Sequence, residues 1–119
     1  MKIETHVAGD IKMAEVISED YIISKVEDGV DLLGNLYYQD IDRIILHEEN
    51  IIPDFFDLKS GMAGEILQKF STYRVRLAIV GDFAKYSSKS LHDFIYESNR
   101  GRQVHFVASL LEAIKGLSV

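Results

Sequence analysis

The run Ile44-Ile45-Leu46-His47-Glu48-Glu49-Asn50-Ile51-Ile52-Pro53-Asp54-Phe55-Phe56-Asp57-Leu58-Lys59-Ser60-Gly61-Met62-Ala63-Gly64-Glu65 decides how this chain folds. Arg43–Leu46 is a continuous apolar run behind its first residue, the pattern of a strand covered on both faces. The strand empties at His47-Glu48 into a loop of carboxylates and aromatics around Pro53, the one proline of the chain. From Ser60-Gly61 onward Met62, Ala63, Ile66, Leu67 and Phe70 recur at helical spacing, which predicts a helix over 60–72. Strand, loop and helix in that order are one unit of an α/β fold. In such folds ligands bind in the crevice beyond the carboxyl ends of the strands.

Outward from this run the periods repeat. Lys2–Val7 and Lys12–Ile17 alternate as strands, with Ala8-Gly9-Asp10 as a tight turn between them. Tyr21–Ser24 reads as a short extended segment. Asp28 can cap a helix with Val30, Leu33, Gly34 and Tyr37 on one face. Val75–Val80 is a second buried strand, closed by Gly81-Asp82-Phe83. Ser88 can cap a helix carrying Leu91, Phe94, Ile95 and Ser98, with Gly101 just past its end. Val104–Val107 is the last strand, and Ser109-Leu110-Leu111-Glu112 is a capping box for a final helix burying Leu110, Ile114 and Leu117. The order β-β-α-β-α-β-α-β-α implies an α/β fold, one mixed sheet, parallel in its later part, with helices packed on it.

Composition bounds the function. A chain of 119 residues suits one domain over 1–119, since two separate cores would each be marginal. With 47% hydrophobic and 27% charged residues it is an ordinary globular sequence. No apolar segment approaches the roughly 20 residues of a membrane span, and the N-terminus lacks the apolar core of a signal peptide. Cysteine is absent, removing disulfides, thiolate catalysis and thiolate metal sites together, and the expected address is the cytoplasm. The net charge is −6 and the 13 basic residues are scattered, so neither nucleic acid nor an anionic membrane surface is an expected partner.

Two resemblances attach to these motifs. Pro53-Asp54-Phe55-Phe56-Asp57-Leu58-Lys59-Ser60-Gly61-Met62-Ala63-Gly64-Glu65-Ile66-Leu67-Gln68-Lys69-Phe70 looks like the signature of an uncharacterised bacterial family, domain of unknown function 4180. Ala78-Ile79-Val80-Gly81-Asp82-Phe83 and Glu97-Ser98-Asn99-Arg100-Gly101 resemble the same family, which carries no established activity. The element order is also similar to that of the STAS domain, the fold of anti-sigma-factor antagonists. That resemblance implies that Asp57-Leu58-Lys59-Ser60-Gly61 occupies the place of the STAS phosphorylation turn, with Ser60 the equivalent serine.

Each candidate residue has a plain structural role beside a functional one. Ser60 is a helix N-cap or a phosphoacceptor, since a phosphate there would meet free amides and the positive dipole end. Gly61 and Gly64 serve close packing or the approach of a ligand. His47, Glu48, Asp54, Asp57, Glu65 and Asp82 could converge as oxygen and nitrogen donors, or line a solvated loop in which Asp57 caps the helix. Arg100 pairs with Glu97 on its own helix or reaches the carboxylate loop. Phe55 and Phe56 cannot both point inward from an extended segment, so one should be exposed or covered by a partner subunit, and an exposed one beside Ile51 and Ile52 would form an apolar patch. His6, His92 and His105 show no partner at ligand spacing. There is no Gly-x-Ser-x-Gly elbow, phosphate loop, dinucleotide fingerprint or metal motif, so no cofactor and no metal is assigned.

The expectation is a non-enzymatic, cytoplasmic interaction or regulatory domain of STAS-like architecture. Its working surface would be the loop 47–60 with the N-terminus of the 60–72 helix, bound by a protein partner or a second copy of the chain. The competing expectation is a small-molecule- or metal-dependent enzyme. It would use His47, Asp54, Asp57, Glu65, Asp82 and Arg100 in one acidic pocket at the C-terminal ends of the strands.

Overall fold

The computed structural model describes residues 1–119. Five strands, β1 (Lys2–Ala8), β2 (Ile11–Ile17), β3 (Arg43–His47), β4 (Arg76–Val80) and β5 (Val104–Val107), form one sheet in the order β1-β2-β3-β4-β5. The helices are α1 (Val26–Tyr37), α2 (Met62–Thr72), α3 (Lys89–Arg100) and α4 (Leu110–Leu117). β1 and β2 are antiparallel, and β2 through β5 run parallel. The mixed α/β sheet expected from the periods is the fold. Gly9, at φ +63°, turns the hairpin so that Ala8 faces Ile11.

Strand order follows chain order, and this fixes where the helices lie. Parallel crossovers are right-handed, so three in succession, all stepping the same way across the sheet, put α1, α2 and α3 on one face. That face holds the main core. Ala14, Val16, Ile44, Leu46, Leu77, Ile79, Val104 and Phe106 of the strands meet Leu32, Leu33, Leu36, Met62, Ala63, Ile66, Phe70 and Leu91 of the helices. The alternate strand residues Met13, Ile45 and Ala78 point to the other face and pack with Ala113 and Leu117 of α4. α4 lies over β4 and β5, so it leaves the β1–β2 half of that face without a helix. Arg76 anchors its end: Nε donates to the Arg102 carbonyl (2.6 Å), Nη1 to Val119 (2.5 Å) and Nη2 to Gly116 (3.0 Å). No helix is long and apolar enough to cross a membrane.

Several local expectations are corrected. α1 begins at Val26 after Lys25, and Asp28 is its third residue, accepting the amides of Ser24 and Lys25 at 2.9 and 3.2 Å. Its buried residues are Gly29, Leu32, Leu33 and Leu36, whereas Val30, Gly34 and Tyr37 line a surface pit with Tyr38 and Tyr73. In α4, Ala113 and Leu117 are buried, while Leu110 and Ile114 are half-buried. The segment around Tyr21–Ser24 has a definite place, because Ile23 forms a parallel bridge with Ile51.

Candidate functional site

The chain from His47 to Ser60 is a plug rather than an open loop. It winds through three 3-10 turns, Glu48–Asn50, Pro53–Phe56 and Leu58–Ser60, that close the C-terminal end of the sheet. Asn50 is buried and pins it, donating its side-chain amide to the Ser18 and Asp20 carbonyls at 2.7 and 3.0 Å. Its own carbonyl accepts the amides of Ile22 and Ile23. Phe55 and Phe56 are both buried, at 2% and 4% exposure, contrary to the expectation that one would be displayed. An extended segment would have split them, but a 3-10 turn advances about 120° per residue, which lets neighbours share an inward sector. Phe56 stacks on Tyr86 with centroids 5.3 Å apart, and Phe55 meets Phe56 edge-on at 5.0 Å. Ile51 is buried as well, so the foreseen apolar patch is core.

Glu48, the residue after β3, is the charged centre of this end. One carboxylate oxygen accepts the Asp82 amide at 3.2 Å, and the other takes the Tyr86 hydroxyl at 2.5 Å and lies 2.7 Å from Lys85 Nζ. Burial, reinforced by the adjacent Glu48 carboxylate, raises the Tyr86 phenol well above its ordinary value and keeps it protonated. The hydrogen bond to Glu48 likewise raises the Lys85 ammonium. Gly81 makes room for this arrangement, since a Cβ there would sit 2.5 Å from Glu48 Cβ.

Beside the plug runs a shallow groove of about 290 Å³, lined by the apolar Pro53, Phe56 and Leu91 and the polar Asp57, Tyr86, Ser87 and Ser88. Asp57 is exposed and caps the last 3-10 turn through the Lys59 amide (3.2 Å), not α2. The cap position of α2 is Gly61, at φ +78°, one residue later than the expected Ser60. Ser60 is exposed; its hydroxyl donates to the Asp54 carbonyl at 2.7 Å and accepts the Met62 amide at 3.2 Å. Asp54 and Glu65 point to solvent, and Glu65 lines a separate depression on α2. Asp82 is exposed and bonds the Ala84 amide at 3.2 Å. Arg100 stays with Glu97 (3.7 Å) and the Tyr96 ring. It ends α3, which runs back along the sheet, so it lies at the opposite end from Asp82. The fold therefore gathers Glu48, Phe56, Asp57 and the Asp82 amide at one end and leaves Arg100 and Glu65 elsewhere.

His47 belongs to a second cluster. Glu15 of β2 is buried, and its two oxygens lie 2.8 Å from His6 Nε2 and 2.6 Å from His47 Nε2. Because a carboxylate only accepts, each imidazole donates through that nitrogen. Burial alone would push the Glu15 carboxyl up; the hydrogen bonds from His47 and then His6 outweigh it and hold the group below its usual range. Sequence reading named His47 and missed Glu15, Tyr86 and Lys85, and gave His6 no partner. Tyr86 and Lys85 meet Glu48 across nearly forty residues with no spacing to betray it. The Glu15 cluster did leave a signal. A two-residue turn at Gly9-Asp10 sets the register, so Glu4 must face Glu15 and His6 must face Met13.

These features define the class of the molecule: a one-sheet mixed α/β domain with three helices on one face, one on the other, and a plugged C-terminal strand end. Within that class the chain belongs to the family described as a domain of unknown function (DUF4180), whose model matches residues 8–117. No curated protein and no solved structure matches it.

Proposed function

We propose that this chain is a bacterial, cytoplasmic binding and regulatory domain, STAS-like in its element order, that docks a protein partner on the C-terminal end of its sheet. The observation that carries the reading is the groove of Pro53, Phe56, Asp57, Tyr86, Ser87 and Leu91 lying beside the exposed Ser60 and the start of α2. Phe56 and Leu91 form its buried floor. The exposed Pro53, Asp57, Ser87 and Ser88 with the half-buried Tyr86 are the groups a partner would meet, a mixed polar and apolar recognition surface. Glu48 and Tyr86, the groups with the chemistry of a general base and acid, are engaged with each other, so they serve as scaffold in this reading. Ser60 sits where a phosphate would meet the first free amides of α2, which gives the surface a means of regulation.

Co-purification from the native cell tests the reading. A protein recovered in constant ratio with the full-length wild type should be lost with Asp57→Arg and Ser87→Arg and kept with Gln39→Arg, at the far end of the molecule. Recovery indifferent to the groove substitutions would sink it. For the regulatory part, intact mass from the same cells should show one added phosphoryl group that Ser60→Ala abolishes. An unmodified Ser60, with Ser60→Asp leaving partner recovery unchanged, would remove the phosphoserine switch.

A further inference from the structure

The half-sheet that α4 leaves uncovered carries Glu4, His6, Glu15 and His47 together. Strand alternation and the β1–β2 register put them there. Glu4 lies directly opposite Glu15, and His6, opposite Met13, lies diagonal to Glu15 on the same face. His47 follows Ile45 by two residues on β3, and Ile45 is the parallel neighbour of Glu15.

Two features of this cluster are costly for a sheet that needs it only to fold. Like charges directly opposed across an antiparallel pair repel, and Glu4 faces Glu15 in that position. Glu15 is also a carboxylate with only 6% of its side chain exposed, and no lysine or arginine touches it. Lys2 reaches Glu4 at 3.1 Å and goes no further. Its only partners are two imidazoles, neither of them a fixed cation, so the buried carboxylate has hydrogen bonds but no permanent counter-charge.

A divalent cation would resolve both. One donor atom from each of Glu4, His6 and Glu15 lies within 4.8 Å of the other two. Ligand atoms on a zinc-sized ion sit about 2.0–2.2 Å from it, and so about 3–3.5 Å from one another. Small rotations of the half-exposed Glu4 and His6 close that gap, and their exposure gives an ion its way in. His47 holds the second oxygen of Glu15 and fixes the carboxylate plane, the supporting role that orients a metal-binding carboxylate. One imidazole nitrogen with two carboxylate oxygens suits a borderline transition cation better than magnesium, which prefers oxygen alone and keeps its water.

We propose that Glu4, His6 and Glu15 form a site for one divalent transition-metal ion of the zinc type, with His47 as the positioning residue for Glu15. The ion binds His6 through Nε2, whose proton moves through solvent to Nδ1 so that the imidazole stays neutral, and solvent completes the coordination.

The test is calorimetric titration of the tag-free, chelator-treated full chain with zinc chloride, with magnesium chloride as the comparison. One equivalent of zinc should bind, magnesium should not compete, and the thermal midpoint should rise with zinc. His6→Ala and Glu15→Gln should abolish uptake, and His47→Gln should weaken it by about tenfold or more. His92→Ala, on α3, should bind as wild type. Cobalt added in place of zinc should give a visible d–d band that His6→Ala removes, a readout independent of stability. Absence of zinc uptake by the folded wild type overturns the proposal. So does uptake that His6→Ala and Glu15→Gln leave intact, since that places the ion elsewhere.

Discussion

Glu48 shows how much one position can decide. It is a carboxylate at the end of a buried strand, and it is accommodated only because Gly81 has no side chain and Tyr86 and Lys85 bring protons to it. Gly81→Ala should therefore push Glu48 off the Asp82 amide. Overpacking of this kind costs roughly 1–3 kcal/mol, measurable as a lower urea midpoint at unchanged slope. Tyr86 makes a prediction in pH. Its pKa is raised in the fold, so the native state holds the proton longer than the unfolded chain does. The stabilisation is complete below the unfolded value of about 10 and is lost as the pH climbs towards the folded value. The stability difference between wild type and Tyr86→Phe should be flat in the neutral range and shrink at alkaline pH. The part of the 295 nm titration that Tyr86→Phe removes should have its midpoint above that of a free phenol. Glu48 stood out in the sequence as a carboxylate at a strand end. Its partners did not, because they arrive through the β4–α3 turn and follow no local period.

At the scale of elements, strands and helices were legible because burial on one or two faces imposes a period of 2 or 3.6. All five strands and four helices follow from that. The segment 47–60 was legible only as an interruption: short 3-10 turns carry neither period, so an apolar-acidic run that packs inward looks like a loop that points outward. Phe55 and Phe56 mark the difference, and Asn50, whose side chain stands in for a missing strand partner, could not have been read locally. The face of α1 was misjudged for another reason. Gly29, which has no side chain of its own to bury, is the place where Ile66 of α2 comes closest. The C-terminal end of α4 is held by a side chain from outside it, Arg76, which bonds the Gly116 and Val119 carbonyls. Arg76→Ala should release the last turn of α4, so that the amides of Leu110–Leu117 exchange faster while those of β3 and β4 keep their protection.

For the whole molecule, the asymmetry of the two faces sets both stability and site. β3 and β4 are paired on both edges and buried at their three central residues, whereas β1 is an edge strand with Val7 66% exposed. Native-state hydrogen exchange should therefore rank the strands, with β1 opening at the lowest free energy and β3 and β4 only on global unfolding. Exchange from β1 as slow as from β4 would contradict this picture. The candidate groove lies on the side of the three crossover helices, while the His6–Glu15 cluster lies on the sparsely covered side; His47 and Glu48, adjacent in sequence, belong to one each. That division was invisible in the sequence, where the two residues read as one acidic site.

The order of strands across the sheet is also the order in which a ribosome releases them. The β1–β2 hairpin emerges first, and each later strand finds its docking edge already made by the one before. No strand has to be inserted between two that are already paired, so the sheet can be laid down during synthesis, one unit at a time, with its growing edge always the newest.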